Sequence, residues 1–326
     1  MKNFYVVFIA LLFFVMLLCP IFAIQKSDKD TKNAEPAKTV SASASDEKTF
    51  SVKMSEDGKI KKIGVKEYVF GVVAAEMPME YKEEALKAQA VAAYTYALYK
   101  SEEAANAGRN YDLGDSGSDS QCFITRKAAR EKWGEKADEY EKKLDKIVAK
   151  TSGSAILYDG KPILAAYHAI SAGKTENASE IWGGEYPYLK TVDSVGDLLN
   201  PDYLTQVSVT AEEFAEKLKD KSIDFSGDPT SYLGEKKCSS VGSVIKIAVC
   251  GKEVSGEEMR AAFGLRSADF DAAFEDGKFV FTVRGYGHGV GMSQYGAERM
   301  SEDGSNYIEI LSAYYTGCKL GKAYGK

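Results

Sequence analysis

The sequence predicts an α+β domain, and three observations carry that prediction. Segments with helical spacing are mixed with short segments of strand character. They do not follow the regular strand–helix–strand alternation that a parallel sheet requires. No internal repeat marks a solenoid or propeller. Composition agrees: 44% hydrophobic and 28% charged residues are ordinary for a globular chain. The 326 residues suffice for one large domain or two modest ones. A net charge of -6 spread along the chain argues against nucleic acid as a partner, since such binders cluster basic residues on one face.

The first segment is "FYVVFIALLFFVMLLCPIFAI", Phe4 to Ile24, which has no charged residue and is long enough to cross a bilayer as a helix. We therefore expect an N-terminal transmembrane anchor within residues 1–24. A cleaved signal peptide is the rival reading, although Ile21 and Ala23 make a poor cleavage site. Either way the remainder is expected outside the cytoplasm. Residues 25–48 are polar, without apolar periodicity, and read as a flexible linker. Residues 49–326 form the predicted domain.

Within it, "TFSVKM-SEDG-KIKKIGV" reads as two strands about an Asp-Gly turn. From Val65 to Met77 the residues Val69, Val72, Val73 and Glu76 share a helical face, and Pro78 must end that helix. A second helix is predicted from about Tyr81 to Lys100. Six alanines between Ala85 and Ala97 let neighbouring backbones come close. A charged surface helix follows over Lys127 to Lys150, then a hairpin about Asp159-Gly160. Further strands are expected at Thr205 to Val209, Ser243 to Val249 and Lys278 to Arg284. Short helices are expected at Ala211 to Lys219, Gly256 to Phe263, Met292 to Met300 and Tyr307 to Tyr315. Cys122, Cys238, Cys250 and Cys318 allow two disulfides in three pairings, or free thiols.

Glu76 is the residue with chemical promise. It shares a face with three valines and sits in the last helical turn, where the dipole opposes negative charge. Desolvation and dipole both favour the neutral acid, which raises its pKa and suits it to general acid catalysis. A buried glutamate satisfied by backbone amides is the structural alternative.

Four ordered blocks then carry a resemblance. "EMPMEYKEEALKAQAVAAYTYAL", "YHAISAGKTENASEIWGGEYPYLKTVDS", "SGEEMRAAFGLRS" and "GYGHGVGMSQYGAERM" resemble the stage II sporulation protein D family. The resemblance covers Thr49 to Gly317. It implies a membrane-anchored lytic transglycosylase with an elongated glycan-binding cleft, active on the mother-cell side of the septum during engulfment. It places Glu76 as the single catalytic acid/base. The cut bond would join N-acetylmuramic acid to N-acetylglucosamine, leaving a 1,6-anhydro end.

Residue by residue, the resemblance offers Lys87, Gln89, Thr95, His168, Ser171, Gly173, Thr175, His288 and Gln294 as substrate-binding positions. Trp182 and Tyr186 are candidates to stack on sugar faces. Tyr94 stands where the family commonly has arginine. The implied substrate is glycan lacking stem peptides. The implied partners are a peptidoglycan hydrolase that removes those peptides and a membrane protein that recruits both. No cofactor and no metal are expected, because "YDLGDSGSDSQCFITR" lacks the thiolate spacing of the zinc site found in some relatives. A non-catalytic wall-binding enhancer of an amidase is the alternative function. A metal-dependent deacetylase is disfavoured by the two histidines in the chain.

Overall fold

Strand β1 (Thr49–Lys53) pairs antiparallel with β2 (Ile60–Gly64), the hairpin predicted about Asp57-Gly58. The computed structural model describes residues 48–117 and 120–323, so the expected anchor and nearly all of the linker lie outside the described residues. Among those described, no helix is long and apolar enough to cross a membrane.

Helix α1 (Val65–Glu76) follows β2 directly and ends where Pro78 requires it. Met77 is forced out of helical conformation and is extended, with φ -119° and ψ 143°. Helix α2 (Glu83–Asn106) starts later and runs further than the predicted Tyr81 to Lys100. It is the axis of the first core, buried without interruption from Ala85 to Thr95. Its alanines admit neighbours on nearly every side, which is why its polar side chains are buried as well. Strand β3 (Leu113–Gly114) pairs parallel with β1.

The charged segment predicted as one helix is two, α3 (Arg126–Trp133) and α4 (Ala137–Thr151). They part at Gly134, whose φ of 57° interrupts helical backbone. Strands β4 (Ser154–Tyr158) and β5 (Lys161–Pro162) form the predicted hairpin. Then come β6 (Tyr167–His168), α5 (Ala178–Ile181) and a 3-10 turn at Val195–Leu199.

At residue 204 the chain leaves this core and builds a second. In order these elements are β7 (Leu204–Thr210), α6 (Ala211–Lys217), β8 (Leu233–Cys238), β9 (Val244–Val249) and β10 (Lys252–Ser255). They are followed by α7 (Gly256–Phe263), β11 (Phe270–Glu275) and β12 (Lys278–Arg284). They make two antiparallel sheets, ordered β8-β9-β10 and β7-β12-β11. Phe214 from α6 lies at the centre, its ring 4.0 Å from Phe279 and 5.0 Å from Phe263, so aromatic packing welds helices to sheet. Strand β8 escapes sequence reading because it is an edge strand with little burial and hence no alternation.

The chain then returns to the first core. Strand β13 (Met292–Ser293) pairs parallel with β6, and helices α8 (Gln294–Glu302) and α9 (Tyr307–Tyr314) pack beside α2. Strand β14 (Lys319–Lys322) completes the sheet next to β4. The result is a mixed helix-and-sheet architecture, consistent with α+β, within the compact unit Asp46–Lys326. Cys122, Cys238, Cys250 and Cys318 are free thiols.

Candidate functional site

A cleft of about 770 Å³ opens at the C-terminal end of α1. Its walls come from Gly117 and residues 120–122, from β6, from the loop carrying Trp182 and Tyr186, from Tyr286, and from Arg260 of the second lobe. Glu76 is half-buried in this wall. It is the cleft's single acid among the described residues.

Local packing puts it there. Gly71, five residues earlier on α1, has no side chain, and a Cβ at that position would come within 2.3 Å of the Phe123 ring and 2.4 Å of the Ile124 carbonyl. The extended segment 121–124 therefore crosses directly over α1, and the Cys122 amide donates to Glu76 Oε1 at 2.8 Å. Lys132 closes the other side of the helix end, donating to the carbonyls of Ala74 at 2.9 Å and Ala75 at 3.3 Å. It thereby satisfies terminal carbonyls that would otherwise face the carboxylate.

Burial pushes the Glu76 carboxyl above the ordinary 4.5. Hydrogen bonds with the Cys122 amide and thiol, and with the Gln294 and Tyr167 side chains, pull the other way without cancelling it. Gln121 fixes the segment that carries Cys122. Its amide donates to Tyr68 Oη at 3.1 Å and to the Ala93 carbonyl at 3.0 Å, and it accepts from Tyr167 Oη at 2.8 Å.

The two histidines meet at the cleft, with ring centroids 5.8 Å apart. His168 Nδ1 lies 3.1 Å from the Val290 carbonyl and so carries the proton, leaving Nε2 as an acceptor that is buried without a partner. His288 Nδ1 accepts from the Val290 amide at 3.1 Å. Burial lowers His168 to about 4 and His288 to about 3, so both imidazoles are neutral near pH 7. Neither can supply a proton there as an acid.

A buried carboxylate joins the second and fourth sequence blocks. Asp197 accepts from the Ser171 amide at 3.0 Å and from the hydroxyls of Ser171, Ser194 (2.9 Å) and Ser293 (2.8 Å). Ser293 also caps α8, accepting from the Gly296 amide, and so aims Gln294 toward Glu76. Burial raises the Asp197 pKa even against these donors.

Of the residues singled out from sequence, Glu76, His168, His288 and Gln294 line the cleft. Gln89 lies just behind, with its Oε1 3.5 Å from Gln294 Nε2. The others do not reach it. Lys87 is paired with Glu84 at 2.6 Å and Glu83 at 3.0 Å on its own helix. Thr95 donates to the Val91 carbonyl at 2.7 Å and accepts from the Ile156 amide at 3.0 Å, pinning α2 to β4. Ser171 belongs to the Asp197 cluster. Gly173, with φ 90°, packs on Leu198. Thr175 exchanges hydrogen bonds with Lys190 and Val192. These positions shape the fold around the cleft instead of facing it.

Tyr94 is buried 6.4 Å from the Phe50 ring, away from the cleft. Trp182 does line it, 41% exposed, edge-on to both Tyr186 and His288. Sequence reading missed Tyr167, Gln121, Asp197 and Arg260. Arg260 lies inside the third block, so that block was the available signal. Asp197 follows the second block with no spacing pattern to mark it. Among the described residues, no three His, Cys, Asp or Glu side chains gather to hold a metal.

Residues 53–158 match the family model described as "Stage II sporulation protein". The chain is 36% identical over 297 residues to stage II sporulation protein D of Bacillus amyloliquefaciens, covering 90% of this chain and 83% of the relative. It is 38% identical over 267 residues to the protein of that name in Bacillus subtilis (strain 168), covering 81% and 76%. An amidase enhancer of Bacillus subtilis (strain 168) is 28% identical over 300 residues, 77% of this chain and 40% of the relative.

Proposed function

Since the chain belongs to the stage II sporulation protein D family, we propose that its cleft is that of a peptidoglycan lytic transglycosylase with Glu76 as the sole acid/base. One observation carries this reading. The cleft's acid is held toward its protonated form by burial, and no second carboxylate lines the cleft among the described residues. A hydrolysing glycosidase needs two carboxylates, one to protonate the leaving oxygen and one to attack or to activate water. In a transglycosylase the muramic acid C6 hydroxyl attacks its own anomeric carbon, an intramolecular nucleophile that makes the second carboxylate unnecessary.

Glu76 donates its proton to the glycosidic oxygen as that C–O bond breaks. The C6 oxygen then closes the 1,6-anhydro ring, and the Glu76 carboxylate takes the C6 proton. The acid is regenerated and no water is consumed. Neutral His168 and His288 offer hydrogen bonds to sugar groups without competing for the proton. Trp182 offers a face for a ring.

The proposed setting is the engulfment septum, with the domain outside the cytoplasm on the mother-cell side. There it would act on peptide-free glycan beside an amidase or endopeptidase and a membrane protein that recruits both. Digestion of purified glycan strands, resolved by chromatography and mass spectrometry, tests the activity. Anhydro ends should appear with the natural chain and vanish with Glu76→Gln. Anhydro ends that persist in the variant would overturn the assignment. The kinship with an amidase enhancer supports a second reading, a wall binder that stimulates an amidase. It predicts no anhydro ends from either chain and a faster amidase in the presence of both.

A further inference from the structure

Charge is distributed unevenly in this molecule. The chain as a whole carries -6, yet the charged side chains lining the cleft, among the described residues, are Glu76, Lys100 and Arg260. Burial works against a charge on Glu76. The Lys100 ammonium is held by Glu103 on its own helix. Arg260 is different. It projects from α7 of the second lobe, and its guanidinium contact is Glu257, at 3.3 and 3.4 Å, the long end of the hydrogen-bond range. Those two contacts both use Nη1, which leaves the rest of the donor fork uncommitted among the described residues.

We propose that Arg260 is a carboxylate-binding subsite of the cleft, reading an acidic group hung from the glycan strand; this rests on the glycan reading above. A guanidinium presents five donors in a planar fork that matches a carboxylate bidentately. A concave site also focuses its field on an incoming anion. Geometry places the group where a sugar would bring it. Arg260 lies near enough to His288 for its positive charge to help hold that imidazole neutral. The His288 ring in turn lies 5.1 Å from the exposed Trp182 ring. Trp182, His288 and Arg260 thus line one cleft, so a sugar ring on Trp182 and an acidic group on Arg260 can belong to one strand. The carboxylate is either the free lactyl group of peptide-free muramic acid or a carboxylate of a stem peptide.

Binding is measured by calorimetry on the Glu76→Gln protein, so that nothing is cut. The probes are chitotetraose, a peptide-free muramic-acid-containing tetrasaccharide, and the same tetrasaccharide bearing stem peptides. The expected result is about tenfold tighter binding of a carboxylate-bearing oligomer than of chitotetraose. The tighter of the two identifies the source of the carboxylate. Adding Arg260→Gln should erase that preference while leaving chitotetraose within about twofold, and Arg260→Lys should restore part of it. A preference that survives Arg260→Gln, or equal binding of all three oligomers by the Glu76→Gln protein, overturns the Arg260 subsite alone. Failure of every oligomer to bind overturns the glycan reading beneath it. Unchanged thermal unfolding of the Arg260 variants, expected for a side chain whose contacts are at the surface, keeps these outcomes clear of misfolding.

Discussion

Two carboxylates, Glu76 and Asp197, are both pushed upward in pKa by burial, yet they differ in how far they are open to a ligand. Glu76 is half-buried in an open cleft wall, where the Cys122 amide donates to it and the Gln294 and Tyr167 side chains lie beside it. Asp197 is fully enclosed and accepts from one amide and three hydroxyls drawn from three separate stretches of chain. The first opens onto a cleft from which a ligand can reach it. The second is saturated, which makes it a fastener. Desolvation alone does not mark a reactive acid; access to it decides.

The strongest test of that contrast is Glu76→Gln. On the proposed function, removing this acid should lower the rate of glycan cleavage by roughly 10²- to 10⁴-fold, with the unfolding temperature retained. Near-normal cleavage by the variant would dissolve the contrast from the catalytic side. Asp197→Ala attacks it from the other side. Three buried hydroxyls lose their shared acceptor, so stability should fall by about 3 kcal/mol, read from denaturant unfolding. A loss below about 0.5 kcal/mol would show that the cluster fastens nothing.

Trp182→Ala should weaken oligosaccharide binding by about fivefold without moving the unfolding temperature, because the ring is exposed at the cleft. A drop in stability instead would make it a packing residue. The smallest effects are those of pH. His168 is folded neutral with a pKa of about 4 against an ordinary 6.5, so its contribution to stability is complete above 6.5 and is lost as pH falls toward 4. His168→Gln should flatten that part of the acid unfolding curve. Glu76 carries the opposite sign. Its ionised form is disfavoured by folding, so Glu76→Gln should be slightly more stable than the natural chain at pH 7 and equal to it below 4.5.

Much of the first lobe was legible because local rules govern it. Pro78 ends α1 whatever surrounds it, and Asp159-Gly160 turns its hairpin by local backbone preference. That the acid at position 76 faces inward follows from helical phase, readable from spacing, while the burial that raises it comes from tertiary packing. What spacing could not give was the direction of α2. A helix buried on nearly every face has no single apolar stripe, so Lys87, Gln89 and Thr95 look like surface residues and are not. The second lobe was legible where strands are buried on one face, as in β12, and opaque at the exposed edge strand β8.

The sequence by itself determined that the chain makes an α+β domain, where its first helix stops, and which carboxyl group stands at that stop. These depend on residues within one or two turns of each other. Tertiary structure alone decided that the Cys122 amide lands on Glu76, that Asp197 ties Ser171, Ser194 and Ser293 together, and that Arg260 from a separate lobe enters the same cleft. Each joins groups far apart in the chain, and such contacts are set by which surfaces pack best once the cores close. No local pattern encodes that outcome.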